Sequence, residues 1–171
     1  MILKLKIKNL IKKVYKGLIN NFFLLIYGKV FFSKNKLEKC SIQNVKINNF
    51  DYKIYKIKEA RVFTNYVENL AVISNDSIIK DVSFQQIKGK LFKSKNQVSK
   101  TGTPKFLKKF SGNTLILTQG ASGHFNYAHW LFDIIPKIKI FSIKNNLSNI
   151  DFFYFSKLTK FQIETLRLLK I

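Results

Sequence analysis

Two side chains that could move a proton lie four residues apart in the second half of the chain, His129 and Asp133. The segment around them is predicted to be helical, and residues four apart on a helix share a face. A carboxylate beside an imidazole raises the basicity of the ring and fixes its tautomer, which is what a general base needs. An ion pair with a purely structural role is the alternative, because such pairs are common on helices. The spacing therefore predicts His129 as a candidate base oriented by Asp133.

The loop before this helix has residues suited to contact with a ligand. Gly120 and Gly123 would let the backbone approach a bound molecule, and a helix that begins near Asn126 would offer unpaired N–H groups to a phosphate or a sugar hydroxyl. The glycines do not form a dinucleotide-binding fingerprint, because the remaining glycine of GxGxxG is absent. The candidate binding residues of this segment are Gly123, His124, Asn126 and Tyr127.

Aromatic and aliphatic side chains follow on the same helix. Trp130, Phe132 and Ile134 are predicted to be core contacts, although Tyr127 or Trp130 could stack on a sugar face if exposed. Pro136 is expected to end or kink the helix, since proline has no N–H to donate.

The elements that position these residues alternate between strand and helix. Short apolar runs at 115–118 and 151–155 predict buried strands, and helices are predicted from about residue 126 and over about 159–170. This order predicts a βαβ crossover, a parallel sheet and a doubly wound, Rossmann-like α/β domain. In such sheets a ligand binds beyond the carboxyl ends of the strands, where the loop at 119–123 would lie.

Upstream of this unit, residues 52–92 predict an antiparallel patch of strands. Strands are expected at 52–57 and 61–63, and 71–74 and 77–84 form a hairpin with Asn75-Asp76 as its polar turn. Residues 93–113 hold two glycines, a proline and six lysines, and they are predicted to be a mobile surface connection.

The first 37 residues contain nine lysines and no acidic residue. Apolar residues recur at steps of three or four, which predicts a basic amphipathic helix. Its most apolar run, residues 22–27, is too short to span a bilayer, and a signal peptide is not expected because no small-residue cleavage site follows. Two interpretations stay open: docking on an anionic membrane surface, or packing on the domain. The apolar positions are Leu3, Ile7, Leu10, Ile11, Val14, Leu18, Phe22 and Leu25.

The charge of the whole chain is strongly positive, +22 from 31 Lys+Arg against 9 Asp+Glu. Nucleic acid is nevertheless not predicted as a partner, because Arg61 and Arg167 are the only arginines, and phosphate and base readers depend on the arginine fork. A sugar-phosphate substrate or an acidic lipid would still be attracted. Cys40 is the only cysteine, so no intrachain disulfide forms and a reducing compartment fits.

The string NYAHWLFDIIPK at residues 126–137 resembles the signature of glycosyltransferase family 61, the capsular-polysaccharide type. RVFT at 61–64 resembles an early strand of that family, and DFFYF at 151–155 and FQIETL at 161–166 are similar to the strand and helix that follow the signature. The resemblance covers about residues 58–171. Lys137 stands where the family has arginine, and the chain stops at Ile171, where the family would continue into a second domain.

The resemblance implies a two-domain GT-B enzyme that moves sugar from a nucleotide-activated donor to a glycan acceptor without a metal or other cofactor. The chain thus divides into the basic amphipathic segment at 1–37, which the resemblance does not cover, and a domain at 38–171. The resemblance implies that this domain is the amino-terminal Rossmann-like half, which faces the acceptor. His129 would be the base, with Asp133 orienting it and Asn126 contacting the acceptor. The donor half would be missing, so the isolated chain is expected to be inactive.

Three functional hypotheses follow. The first is a cytoplasmic glycosyltransferase fragment, peripheral on the inner face of the membrane, acting on a lipid-linked glycan in surface polysaccharide synthesis. The second is a non-catalytic remnant, or an acceptor-binding half that works with a separately encoded donor domain. The third is a lysine-rich membrane or nucleic-acid binder, which only the charge supports.

Overall fold

The computed structural model describes residues 2–32, 39–65, 68–118, 126–155 and 158–171. It shows a mixed α/β architecture with a curled open sheet and a few helices. The strands are β1 (Phe31–Phe32), β2 (Cys40–Ile47), β3 (Phe50–Ile57), β4 (Arg61–Thr64), β5 (Asn69–Ser74), β6 (Ser77–Ile78), β7 (Phe84–Ile87), β8 (Lys90–Phe92), β9 (Thr114–Ile116) and β10 (Phe152–Tyr154). The helices are α1 (Ile2–Tyr27), α2 (Val98–Thr101), α3 (Tyr127–His129), α4 (Ile135–Ser142) and α5 (Lys160–Leu168).

Strand β5 is the centre of the larger sheet, and every one of its residues is buried. It pairs antiparallel with β4, β6 and β7, and β1 extends the sheet by parallel pairing with β6. The predicted hairpin turn is confirmed, because Asn75 and Asp76 both have a positive φ, as the tight hairpin turns require.

The continuous strand predicted at 77–84 is wrong. Strand β6 ends at Ile78, and a 3₁₀ turn at Lys80–Val82 separates it from β7. The Ser83 hydroxyl accepts a hydrogen bond from the Val72 N–H at 3.0 Å, and Ile79 N–H donates to the Val72 carbonyl. A side chain therefore satisfies a backbone group of β5 that a regular ladder would have paired, and the strand breaks there.

A second antiparallel ribbon, β2–β3, includes a strand that the sequence did not predict. Its register runs from Cys40 opposite Ile57 to Ile47 opposite Phe50, with Asn48 at positive φ in the turn. Most of the ribbon is exposed and only Val45 of its residues is buried, so β2 lacks the apolar pattern by which strands are usually recognised.

The connection at 93–113 is only partly a surface loop. Residues 105–112 are exposed as predicted, whereas Asn96, Val98 and Thr103 are buried. The Asn96 side chain donates to the carbonyls of Leu70 and Phe84, so it joins the segment to the sheet. A polar residue that satisfies buried carbonyls belongs in the core, and composition alone does not reveal this role.

The second half forms the predicted strand, helix, strand, helix unit. Strands β9 and β10 pair in parallel from Thr114–Phe152 to Ile116–Tyr154, and the helical segment at 127–142 lies between them in sequence. A core cluster holds the unit together, and its buried members are Leu117, Trp130, Ile134, Ile138 and Leu166. Within the described ranges this sheet has two strands, so a doubly wound, Rossmann-like sheet stays a prediction.

Among the described residues, the contacts that anchor helix α1 to the domain lie at its carboxyl end. Phe23 is buried against Phe106. Leu24 packs closely on Gly102, because a methyl group added to Gly102 would lie 2.8 Å from the Cδ2 atom of Leu24. The helix ends at Tyr27, before Gly28 at φ 74°, so the last part of the predicted 1–37 segment includes β1 instead of helix. None of the described helices is both long and apolar enough to cross a membrane.

Candidate functional site

The helix that carries His129 has an irregular start. Asn126 is its N-cap, and the Asn126 side chain accepts a hydrogen bond from the His129 N–H at 3.2 Å. A π-helical segment at Trp130–Ile134 follows, and Pro136 then lies in the first turn of α4. The helical path continues through Pro136 to Ser142, so the proline does not end it. The missing N–H of proline is accommodated beside the π segment, and such irregular segments are frequent at functional sites.

His129 and Asp133 lie together, as the sequence predicted. The Nδ1 atom of His129 is 2.7 Å from Oδ2 of Asp133, and the two side chains are 47% and 35% exposed. In the neutral ring, Nδ1–H donates to the carboxylate and Nε2 keeps its lone pair. The pair can therefore take a proton at Nε2 and stabilise the imidazolium that results.

The helix that carries the pair begins close to the carboxyl end of β10. The rings of Tyr127 and Phe161 are 5.3 Å apart in an edge-on contact, and those of Trp130 and Phe155 are 5.7 Å apart. These contacts bring the start of the 127–142 helix close to the start of α5 and to the end of β10. Ligands of open α/β sheets bind at this edge.

Lys137 is a residue that the structure adds to the site. It lies four residues after Asp133, and burial lowers the pKa of its amine from 10.5 to about 8, although the Asp133 carboxylate acts in the opposite direction. The i, i+4 spacing from Asp133 was the available signal. Its burial was not predictable, because that depends on the apolar residues packed around the helix.

The predictions for the aromatic and aliphatic residues of this helix have different outcomes. Trp130 and Ile134 are buried, as predicted, so Trp130 cannot stack on a sugar. Phe132 is 76% exposed, so the prediction that it is a core contact is wrong. Phe132 is two residues from Trp130 and two from Ile134, so its side chain points to the opposite side of the helix. Tyr127 is exposed, which leaves its ring accessible to a ligand.

The other predicted binding residues have different outcomes. Gly120, Gly123 and His124 lie outside the described residues. Asn126 is exposed at the site, but its side-chain oxygen is engaged as the helix cap, so its amide N–H groups are what it can offer a ligand. In the described part of the chain, no group of three His, Cys, Asp or Glu side chains is arranged to hold a metal ion.

A large cleft lies elsewhere, between the β2–β3 ribbon and the carboxyl end of α4. Its volume is about 1230 Å³, and its lining is rich in amides. Lys144 donates to the Asn44 carbonyl at 2.7 Å and Asn145 donates to the Gln43 side chain at 2.9 Å, which joins helix and ribbon. Phe141 at the cleft is 12 residues after His129, about 18 Å along a helix, so the cleft is separate from the His129–Asp133 pair.

Comparison with known proteins adds no relative: no family model matches the chain, and neither does any curated protein or solved structure. The resemblance to glycosyltransferase family 61 gains no support from these searches, and the chemistry of the site has to be argued from its own geometry.

Proposed function

We propose that this chain is the acceptor-side domain of a glycosyltransferase, with a Rossmann-like fold of the GT-B type and His129 as the general base. The observation that supports the proposal is the 2.7 Å contact between Nδ1 of His129 and Oδ2 of Asp133. It orients an exposed imidazole on a helix that begins close to the carboxyl end of β10, and substrates of α/β proteins bind at this end of the strands. The substrates are a nucleotide sugar and a glycan acceptor.

The reaction needs one proton to move. The acceptor hydroxyl gives its proton to Nε2 of His129 as its oxygen attacks the anomeric carbon, and the bond from that carbon to the nucleotide breaks. The nucleotide leaves with the bonding electrons. Asp133 accepts the hydrogen bond from Nδ1–H and stabilises the imidazolium, without itself taking up the proton.

Neighbouring side chains hold the acceptor. The exposed ring of Tyr127 offers a face on which a sugar can stack, and the Asn126 amide can donate to a hydroxyl. The Lys137 amine, with a pKa of about 8, is mostly protonated at pH 7 and balances the charge of Asp133. The donor is held by a second domain, in the same polypeptide or in another one.

The test is a transfer assay with this chain and a donor domain, supplied in the same polypeptide or as a separate chain, using nucleotide sugars and oligosaccharide acceptors. His129→Ala should lower the rate of the chemical step by about 10² to 10⁴ while acceptor affinity stays nearly unchanged. Asp133→Asn should have a smaller effect, because it disturbs only orientation. The chain without a donor domain should show no transfer, because half of a cleft cannot orient two substrates.

A matched control is Lys139→Ala, since Lys139 is exposed on α4 and does not belong to the pair. Its rate should equal that of the unchanged chain. A His129→Ala variant that keeps the full rate and only melts earlier would show that the pair is structural.

The amide-rich cleft favours a second candidate function, binding of a glycan without catalysis. Asn113, Asn145 and Asn149 line it beside the aromatic rings of Tyr55 and Phe141, and amides with aromatic rings are typical of sugar-binding surfaces. NMR titration with surface oligosaccharides distinguishes the two: perturbed amides around Asn145, with none around His129, would favour the binding module.

A further inference from the structure

The amino-terminal part of α1 is exposed on every face. Every residue from 5 to 18 is exposed, although the helix runs unbroken from Ile2 to Tyr27. Isolated helices of this length are marginal in water, and most helices in proteins are stabilised by burying an apolar face. The exposed segment therefore lacks the packing that normally stabilises a helix.

This segment has a continuous apolar stripe. Its members recur at helical steps of three, four and seven, and they continue onto the last turns of the helix. We call them the α1 stripe: Ile7, Leu10, Ile11, Val14, Leu18 and Leu25, all exposed. An exposed apolar face of this extent marks a surface that contacts another molecule or a membrane.

The α1 stripe faces away from the domain. The side of the helix that touches the domain carries Phe23, Leu24 and Tyr27; Tyr27 contacts the Arg61 guanidinium and accepts a hydrogen bond from the Leu107 N–H. Phe23 is five residues after Leu18, which is about 140° around the helix. Leu25 is 88% exposed beside these anchors, so the chain's own domain does not cover the stripe.

The positive charge on the other faces of α1 favours an anionic partner. Lys6, Lys8, Lys12, Lys13 and Lys16 flank or oppose the stripe, and no acidic residue precedes Glu38. A second copy of α1 would place lysines against lysines, which disfavours a helix pair in the absence of any acidic partner. An anionic surface instead attracts every one of these lysines, and their alkyl stems can lie along the apolar boundary.

The loop at 105–110 packs on the carboxyl end of the same helix. Phe106 is 72% exposed and its ring lies 6.3 Å from that of Phe22 in an edge-on contact. Lys105, Lys108 and Lys109 are exposed around it. Apolar side chains surrounded by lysines are therefore found on both the helix and the loop at 105–110.

We propose that α1 lies in the plane of an anionic lipid bilayer, with the α1 stripe in the acyl boundary and its lysines at the headgroups. The helix is about 39 Å long, and an apolar face beside a lysine-rich polar face is typical of helices that lie along a membrane surface. This role is independent of the proposed transfer chemistry, and it would place the domain at a lipid surface.

The experiment is flotation of the full chain with vesicles of phosphatidylcholine alone or with phosphatidylglycerol. The chain should float with the anionic vesicles, and binding should decrease as salt rises from about 0.01 M to about 1 M, where screening acts within about 3 Å. Replacing Lys8, Lys12 and Lys16 by glutamine should lower the partition constant by about fivefold for each lysine at low salt.

A matched pair of substitutions tests the stripe itself. Leu18→Asp and Leu5→Asp remove the same side chain and add the same charge at equally exposed positions, 64% and 63%, but Leu5 lies among the lysines opposite the stripe. Leu18→Asp should weaken binding between about tenfold and about a hundredfold. Leu5→Asp should lose only the few-fold that its added charge costs.

Three results would overturn the proposal: no flotation with anionic vesicles at low salt, equal losses in the two aspartate variants, or equal binding to neutral vesicles. Sedimentation of the free chain adds another. A dimer that Leu18→Asp dissociates, in a chain that binds no vesicles, would assign the stripe to a second copy.

Discussion

Helix α1 and the helix at 127–142 have apolar residues at the same spacing, and the structure treats them in opposite ways. Trp130, Ile134 and Ile138 recur at steps of four and are buried in the core of the βαβ unit. Ile7, Ile11 and Leu18 recur at steps of four and seven and are exposed. Helical periodicity thus identifies an apolar face, but it does not identify what covers that face.

The difference comes from what lies on either side of each helix in the sequence. Strands β9 and β10 precede and follow the 127–142 helix in the sequence, and they pair in parallel. The helix therefore connects the two strands and packs on them, and its apolar face contacts Leu117 and Leu166. In the part of the chain that the structure describes, α1 meets the domain through its last turns, where Phe23 contacts the loop at 105–110. One helix completes a layer of the fold, and the other extends beyond it.

The largest effect on stability should come from removing a large side chain from the buried face of the 127–142 helix. Trp130→Ala should destabilise the protein by about 3–5 kcal/mol, because the indole is almost fully buried and leaves a cavity. Leu10→Ala on the exposed stripe should change the free energy of unfolding by less than about 0.5 kcal/mol. Urea denaturation measures both values, and similar losses would show that the stripe is packed in solution.

Replacing Lys137 tests whether a partly buried charge on the 127–142 helix destabilises the protein. Its pKa is lowered to about 8 by burial, so the folded state disfavours the charged amine and the unfolded chain binds more protons between pH 8 and 10.5. The penalty is complete below pH 8 and is lost as pH rises to about 10.5. Lys137→Met should therefore be more stable than the unchanged chain by up to about 3 kcal/mol at pH 7.

The pH profile of that difference is the measurement, taken from thermal melts of both proteins between pH 7 and 11. The advantage of Lys137→Met should shrink towards the alkaline end. An advantage that does not change with pH would show that methionine simply packs better, and that the amine is solvated.

The anchor of α1 should be weaker than the core but detectable. Gly102 has φ 64° and ψ −156°, a region essentially restricted to glycine, and an added methyl group would press on Leu24. Gly102→Ala should cost about 1–3 kcal/mol and loosen the helix from the domain. Hydrogen exchange of the amides at residues 20–27 reports this, with Gly89→Ala as a control, since Gly89 has positive φ but no neighbour within 4 Å.

The smallest effect concerns the start of the site helix. Asn126→Ala removes the cap that accepts from the His129 N–H and should cost about 1 kcal/mol, whereas Asn126→Asp retains the acceptor oxygen and the stability. Calorimetric melting temperatures of the two variants check this. If Asn126→Ala melts like the unchanged chain, the cap contributes nothing and Asn126 serves only the ligand.

Turns, pairs of side chains on one helix and the order of the elements could be predicted from the sequence, because they depend on residues close together in the chain. Asn75-Asp76 predicted a hairpin turn, since these residues tolerate positive φ. His129 and Asp133 were expected to meet because four residues make about one helical turn. The order of β9, helix, β10 and α5 followed from apolar runs separated by polar ones.

Other features depended on partners distant in sequence, and only the tertiary structure decided them. Ser83 interrupts a strand because it meets Val72, and Asn96 is buried because it satisfies the carbonyls of Leu70 and Phe84. Burial lowers the pKa of the Lys137 amine, and that burial depends on which segments pack around α4. Phe132 was assigned to the core by its type, but the side of the helix that faces β9 and β10 includes Trp130 and Ile134 and leaves Phe132 in water.

Helix α1 shows the same division within one element. The sequence determined that it is helical, that one face is apolar and that the other faces carry lysine, because each property follows from residues three or four apart. Which face meets the domain was decided by Phe23, Leu24 and Tyr27, whose partners Phe106, Gly102 and Arg61 come much later in the chain. Burial depends on contacts between segments, and the spacing within one segment does not specify those contacts.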